Sequence, residues 1–195
     1  DKVIVIVGHK AGLVEEKIRG IKCIKQNELL GTGDAVSKAR SALLKDNKID
    51  NVLILYGDTP LLRGDTIKKL IEKHVSSSAG ATLLTAQLKN PTGYGRVIRS
   101  STGKIIKIVE ELDASIYEKV IEEINVGVYC FSKRALFYGL EKIEPDNKKE
   151  EYYLTDTIEV LTKSNILVES VTTDDTDEFL GVNTRTELGK AEVVM

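Results

Sequence analysis

Cysteine and histidine are scarce: Cys23, Cys130, His9 and His74 are the only four in 195 residues. Scattered as they are, they offer no zinc cluster. The two cysteines lie far apart within apolar stretches, which predicts two buried thiols in a reducing compartment rather than a disulfide. No apolar run approaches ~18 residues, so no segment is expected to span a membrane. Charge of one sign is also lacking. Lysine and arginine number 28 against 30 for aspartate and glutamate, and a net charge of −2 gives no electrostatic reason to bind nucleic acid or an anionic membrane. Internal repeats, low-complexity tracts and linkers are absent. The length predicts about one domain, burying roughly 70% of its unfolded surface.

What is present is an alternation of strand and helix patterns, organised around Asn51 to Leu62, NVLILYGDTPLL. Val52 to Leu55 predicts a strand buried on both faces, as in a parallel sheet flanked by helices. Pro60 prevents its extension. Asp58 then falls just past the strand's C-terminal end, where open α/β sheets bind ligands. A carboxylate there can hold a divalent metal against phosphate oxygens, or cap a turn before a helix starting near Asp65. Upstream, strands are expected over Val3 to Val7 and Ile21 to Lys25, with a helix over Ala11 to Arg19. In QNELLGTGDAV, Gln26 to Val36, Gly31 and Gly33 permit close backbone approach, while Thr32 and Asp34 can cap the following helix. Downstream, Ile67, Leu70, Ile71 and Val75 define a helix near whose end His74 is expected as a surface or packed histidine rather than a catalytic one, and Ala81 to Leu88 a strand. The alternation predicts an α/β sheet.

The pattern changes at Asn90 to Gly95, a turn cluster. Arg96 to Arg99 and Lys104 to Glu110 form an expected β-hairpin, which makes the sheet mixed. A short helix over Ser115 to Ile121 and a strand over Glu123 to Phe131 follow, with Asn125 a polar amide among apolar residues. Lys133 to Glu141 is helical in pattern. Asp156 and Glu159 have capping-box spacing, and Tyr152 and Tyr153 can line a pocket or cover the core, with packing the expectation. Leu167 to Val171 is a last strand, and a closing helix begins at Thr184.

Together QNELLGTGDAV, LYGDTPL, NPTGYGR, IVEELDA, EINVGVY, EYYLTD and GVN resemble the uridyltransferase domain of bacterial bifunctional N-acetylglucosamine-1-phosphate uridyltransferase / glucosamine-1-phosphate acetyltransferase. The resemblance covers nearly the whole chain. It implies a Rossmann-like nucleotidyltransferase fold: a mixed, mostly parallel sheet flanked by helices, with a β-hairpin insertion. It further implies transfer of uridylyl from UTP to N-acetylglucosamine 1-phosphate, giving UDP-N-acetylglucosamine and pyrophosphate, without a protein nucleophile. By the same resemblance Gln26, Gly31, Thr32, Tyr56, Gly57 and Asp58 bind the nucleotide. Gly95, Glu110, Asn125 and Asn183 bind the sugar, and Asp58 with Asn183 holds Mg²⁺.

The resemblance also implies a cytoplasmic enzyme of cell-wall (peptidoglycan) synthesis, trimeric through a β-helix acetyltransferase domain that residues 1–195 do not contain. The family's opening glycine-rich, triphosphate-binding segment is expected before Asp1. Residues 1–195 are thus an N-terminally incomplete nucleotidyltransferase domain, inactive by themselves. Where the family usually has a lysine shortly after the glutamate matching Glu110, this chain has Glu111-Leu112-Asp113. The alternatives are a nucleotidyltransferase for another sugar phosphate, and a non-catalytic sugar-nucleotide-binding or regulatory domain.

Overall fold

The computed structural model describes residues 2–182 and 184–194, so Asn183 lies outside the described residues. The first half alternates β1 (Ile4–Val7), α1 (Ala11–Lys17), β2 (Lys22–Lys25), α2 (Thr32–Lys38), α3 (Arg40–Leu44), β3 (Asn51–Ile54), α4 (Gly64–Ser77) and β4 (Ala81–Gln87). Then come β5 (Gly95–Arg99), β6 (Ile105–Val109), β7 (Glu123–Ser132), α5 (Lys133–Leu140), α6 (Asp156–Lys163), β8 (Val168–Thr173), a single 3-10 turn at Thr176–Phe179 and α7 (Arg185–Val194). Among the described residues no helix is long and apolar enough to cross a membrane.

Helices pack on both faces of a six-stranded sheet ordered β6-β5-β7-β4-β8, with β3 also on β7. One face buries Leu83, Tyr129 and Phe131 against Leu136 of α5 and Ile158 and Leu161 of α6. The other buries Leu84, Ile124, Val126, Val128 and Cys130 against Leu70 of α4 and Phe179. Thr66, Leu70 and His74 recur every four residues, so α4 buries one stripe. His74 is a packed histidine, with Nδ1 3.0 Å from Thr82 Oγ1 and Nε2 3.2 Å from Asn51 Oδ1. Cys130 is buried, Cys23 is partly exposed, and both are free thiols.

The sheet is mixed, as expected, but its pairings are not mostly parallel. β3, β4, β5 and β8 do run in one direction. Long β7 runs against them in the middle, so β3–β7, β4–β7 and β5–β7 are antiparallel, as is the β5–β6 hairpin. Only β4–β8 and the separate pair β1–β2 are parallel among the described residues. Likewise β3 is not doubly buried: it is half-exposed and, among the described residues, pairs only with β7. Among them β1 pairs only with β2.

Three local expectations change too. Residues 115–121 form turns rather than a helix. Ile116, Tyr117 and Val120 are exposed there, so no apolar stripe is buried to hold a helix. Thr155, not Asp156, stands at the N-cap of α6. Gly31 stands at the N-cap of α2, and no side chain caps it.

The feature that positions the site is a fork. β3 and β5 lie along the same edge of β7 but at opposite ends: Ile54 faces Tyr129, whereas Gly95 faces Asn125. Val126 to Val128, between them, pair with neither. On the other edge Leu83 faces Tyr129 and Thr85 faces Asn125, leaving only Leu84 against those three residues. The bulge centres on Gly127, whose φ of +86° favours glycine.

Candidate active site

A cleft of about 420 Å³ opens over this fork, lined by Thr32, Tyr56, Gly93, Glu110, Lys149 and Tyr153 among others. Its first wall is built by backbone pairing between 30–33 and 152–154. Tyr152 N–H donates to Leu30 O (2.8 Å), Gly33 N–H to Tyr152 O (2.7 Å) and Leu154 N–H to Thr32 Oγ1 (3.0 Å). Gly31 has φ +104°, and a Cβ there would sit 2.6 Å from Tyr152 O. Its close approach is therefore to the 152 backbone. The same pairing carries Tyr153 into the cleft. Behind it lies buried Gln26, whose Nε2 donates to Gly31 O (3.1 Å) and Asp34 Oδ2 (2.8 Å). Those two acceptors fix the amide orientation and occupy both its hydrogens, so only Oε1 remains for a ligand.

The floor is Tyr56, which continues the line of β3 into the fork. Its ring lies against Gly127: a Cβ on Gly127 would come within 2.8 Å of the ring. Thr59 Oγ1 donates to Tyr56 O (3.1 Å) and holds the following loop in place. On that loop Gly57 is exposed with open space around it. Asp58 O accepts from Val182 N–H at 2.8 Å, which binds the start and the end of the chain's site motifs together immediately before Asn183. The Asp58 carboxylate has no hydrogen-bond or ion-pair partner among the described residues. No group of three or more His, Cys, Asp or Glu that could hold a metal occurs among them either. A lone unpartnered carboxylate fits a Mg²⁺ that takes one or two protein oxygens and leaves its other positions to phosphate and water.

The far wall joins Gly95, Glu110 and Asn125. Gly95 pairs with Asn125 across β5–β7. A Cβ on Gly95 would lie 3.4 Å from Glu110 Oε2. Glu110 Oε1 accepts from Thr155 Oγ1 at 2.9 Å, so the Thr155 side chain serves the cleft instead of capping α6. Burial pushes the Glu110 carboxyl above its ordinary value, while the Thr155 bond and the Lys149 charge act the other way. Asp156 beside it is pushed to about 6, chiefly by burial and then by Glu110, Glu159 and Asp113. Burial likewise pushes Tyr56 and Tyr153 up to about 12, so both remain phenols at neutral pH.

Thr32, Tyr56 and Glu110 thus line one cleft. Gln26 and Gly31 support it from behind, Gly95 and Asn125 from beneath, and Gly57 and Asp58 follow on the next loop. Motif spacing does not reach Lys149 or Thr155, whereas for Tyr153 the sequence leaves open a pocket or the core. Tyr153 does double duty, 8% exposed and lining the cleft. Lys149 carried no signal at all, because nothing in the sequence brings the 145–151 loop to Glu110. It shares the cleft with Leu112 and supplies a cation close to where the resemblance leads one to look for a lysine.

Comparison with known proteins agrees along the chain. It is 47% identical over 195 residues to the bifunctional protein GlmU of Lactococcus lactis, covering 100% of this chain and 42% of that protein. It is 43% identical over 193 residues to GlmU of Clostridioides difficile, covering 98% and 41%. The chain therefore spans about two-fifths of the length of these relatives. A solved structure from Bacillus anthracis, assigned as a glucose-1-phosphate thymidylyltransferase and crystallised with sucrose, superposes with a TM-score of 0.70 at 17% identity, over 98% of this chain and 74% of that one. This shows a shared fold. With the nucleotidyl transferase family model matching residues 1–177, from β1 through the strands and loops that build the cleft, the chain belongs to the nucleotidyl transferase family.

Proposed function

We propose that the cleft is the sugar-nucleotide site of a uridylyltransferase that makes UDP-N-acetylglucosamine and pyrophosphate from UTP and N-acetylglucosamine 1-phosphate. One observation carries this reading: Thr32 and Tyr56, from the nucleotide-side motifs, and Glu110, from the sugar-side motifs, share one cleft over the fork. Membership of the nucleotidyl transferase family and 47% identity to a GlmU protein over the length of this chain support the choice of chemistry. An oxygen of the sugar phosphate attacks the α-phosphorus of UTP. The new O–P bond forms as the α–β bridge breaks, and pyrophosphate carries away the electron pair. No protein nucleophile is required, so the protein's work is alignment and charge stabilisation.

Gln26 Oε1 accepts from the base N–H, since the amide's hydrogens are already committed. Glu110 accepts from sugar hydroxyls, Lys149 offsets its charge, and Tyr153 with Tyr56 keeps water from the bound ring. Asp58, with Asn183 from outside the described residues, would hold Mg²⁺, which supplies Lewis-acid neutralisation of the phosphates when bound. A cytoplasmic location, a place in peptidoglycan synthesis and trimer formation through a further domain follow from the same reading.

Titration calorimetry tests it: with Mg²⁺ present, UDP-N-acetylglucosamine is expected to bind at least tenfold tighter than UDP-glucose or dTDP-glucose. Chelation of the metal should weaken that binding. Equal affinity for the three ligands sinks the substrate assignment. Pyrophosphate release from UTP and N-acetylglucosamine 1-phosphate then separates a transferase from a domain that only binds.

A further inference from the structure

The hydrogen bonds beneath the cleft have a direction. Asn125 Nδ2 donates to Tyr129 Oη at 2.7 Å, and Gly127 N–H donates to Asn125 Oδ1 at 3.3 Å. A backbone N–H can only donate, so Oδ1 must face Gly127 and the Asn125 amide has one orientation. Tyr129 Oη therefore accepts from Asn125, and its own proton is left to donate onward. Beside it, packed on the same cluster, lies the Tyr56 ring.

The backbone is shaped for this contact. The two extra residues of β7 in Val126 to Val128, opposite Leu84, form the bulge. Gly127 in its centre is the residue on which the Tyr56 ring rests, and any side chain there would occupy that space. Tyr129 is fully buried, at 0% exposure, and its ring packs 5.8 Å from that of Phe131. A phenylalanine would fill the same volume. What tyrosine adds in a site closed to water is the hydroxyl alone.

We propose that Tyr129 is a positioning residue for the sugar side of the cleft, its buried hydroxyl accepting from the Asn125 amide and holding it in one orientation. This rests on the sugar-nucleotide reading above. Without the hydroxyl, Asn125 Nδ2 loses its buried acceptor and the amide is free to rotate.

The experiment compares wild type, Tyr129→Phe, Asn125→Ala and the double variant by calorimetry with UDP, UDP-glucose and UDP-N-acetylglucosamine. Tyr129→Phe should lower affinity for UDP-N-acetylglucosamine by about five- to tenfold, the scale of one net buried hydrogen bond. It should change UDP affinity less, so the ratio between the two ligands falls. In the Asn125→Ala background the same substitution should have no further effect on that ratio, because the amide it holds is gone. Asn125→Asp, which keeps the acceptor for Gly127 N–H but removes the donor to Tyr129, should reproduce the ratio change and stands in if Tyr129→Phe fails to fold. An unchanged ratio, with only the melting temperature lowered, makes Tyr129 a core residue and overturns the inference alone. A wild type that does not prefer UDP-N-acetylglucosamine over UDP-glucose overturns the substrate reading, and the positioning role with it.

Discussion

At Asp156, burial and three neighbouring carboxylates, Glu110 first, oppose ionisation and raise its pKa to about 6. The unfolded chain would ionise it near 3.9. Between those two values the native state holds the proton and the unfolded state has released it. Stability from this group is therefore fully present below the unfolded value and is lost as pH rises through about 6. Glu110, also raised by burial, acts with the same sign. His74 acts with the opposite one: burial lowers its pKa, so protonation in the unfolded state favours unfolding as pH falls below the ordinary histidine value. Asp156→Asn isolates the first effect. The variant should melt higher than wild type at pH 7, and the gap should close between pH 6 and 4. A gap that stays constant with pH would mean Asp156 is already solvated. A carboxyl held above its ordinary pKa one residue from the Thr155 that bonds Glu110 is the kind of perturbed group that marks a candidate functional site.

The β5–β6 hairpin is fastened by Arg96, 1% exposed, whose guanidinium donates to Glu111 Oε2 at 2.7 Å and to the carbonyls of Tyr94 and Lys119. Glu111 Oε2 also accepts from Gly93 N–H at 3.2 Å. One residue thus joins the turn before β5, the end of β6 and the 115–121 turns into a single wall. Arg96→Ala should cost about 1–3 kcal/mol, the scale for leaving the Tyr94 and Lys119 carbonyls without their donor, since Glu111 is partly exposed and keeps Lys119. Glu111→Gln, which keeps an acceptor and leaves no buried cation without any partner, should cost less. Denaturant unfolding of the two variants checks the order, and a larger loss for Glu111→Gln would contradict it. The hairpin itself was legible, since turn residues bracket two short apolar runs, and so were β4 and β7 as long apolar strands. The antiparallel course of β7 was not, because the pairing partner of a buried strand is set by contacts distant in sequence. The 115–121 turns failed for a related reason: Ile116, Tyr117 and Val120 have helical spacing but nothing to pack against. Of the residues expected at the site, Thr32, Tyr56 and Glu110 do line one cleft. Its second roles, Thr155 on Glu110 and Gly31 against Tyr152, depend on loops meeting in space.

Across the whole molecule, the fork on β7 accounts for both the position of the site and the weakest part of the sheet. β3 and β5 must diverge to admit Tyr56, so β3 contributes only four residues and one paired edge. β1 belongs to a separate two-stranded sheet. Its Ile4 and Ile6 pack on the same cluster as Val52 of β3, around Ala39, Leu43 and Phe137. The remaining outer strands carry charge: Lys22 and Lys25 in β2, Lys107 in β6 and Glu169 in β8. β1 and β3, IVIV and NVLI, carry none, and the adjoining Val3 and Leu55 are exposed by 62% and 44%. Short length is their main protection, and uncharged apolar edges are templates for another strand. The 195-residue chain is expected to self-associate through these edges as its concentration rises, and Val3→Lys, which places a charge beside β1 without touching the cleft, should reduce that association. Sedimentation velocity over a hundredfold concentration range reads the result directly. A wild type that stays monomeric throughout would show that four-residue strands are too short to recruit a partner, and that the open edges of β1 and β3 are silent in solution.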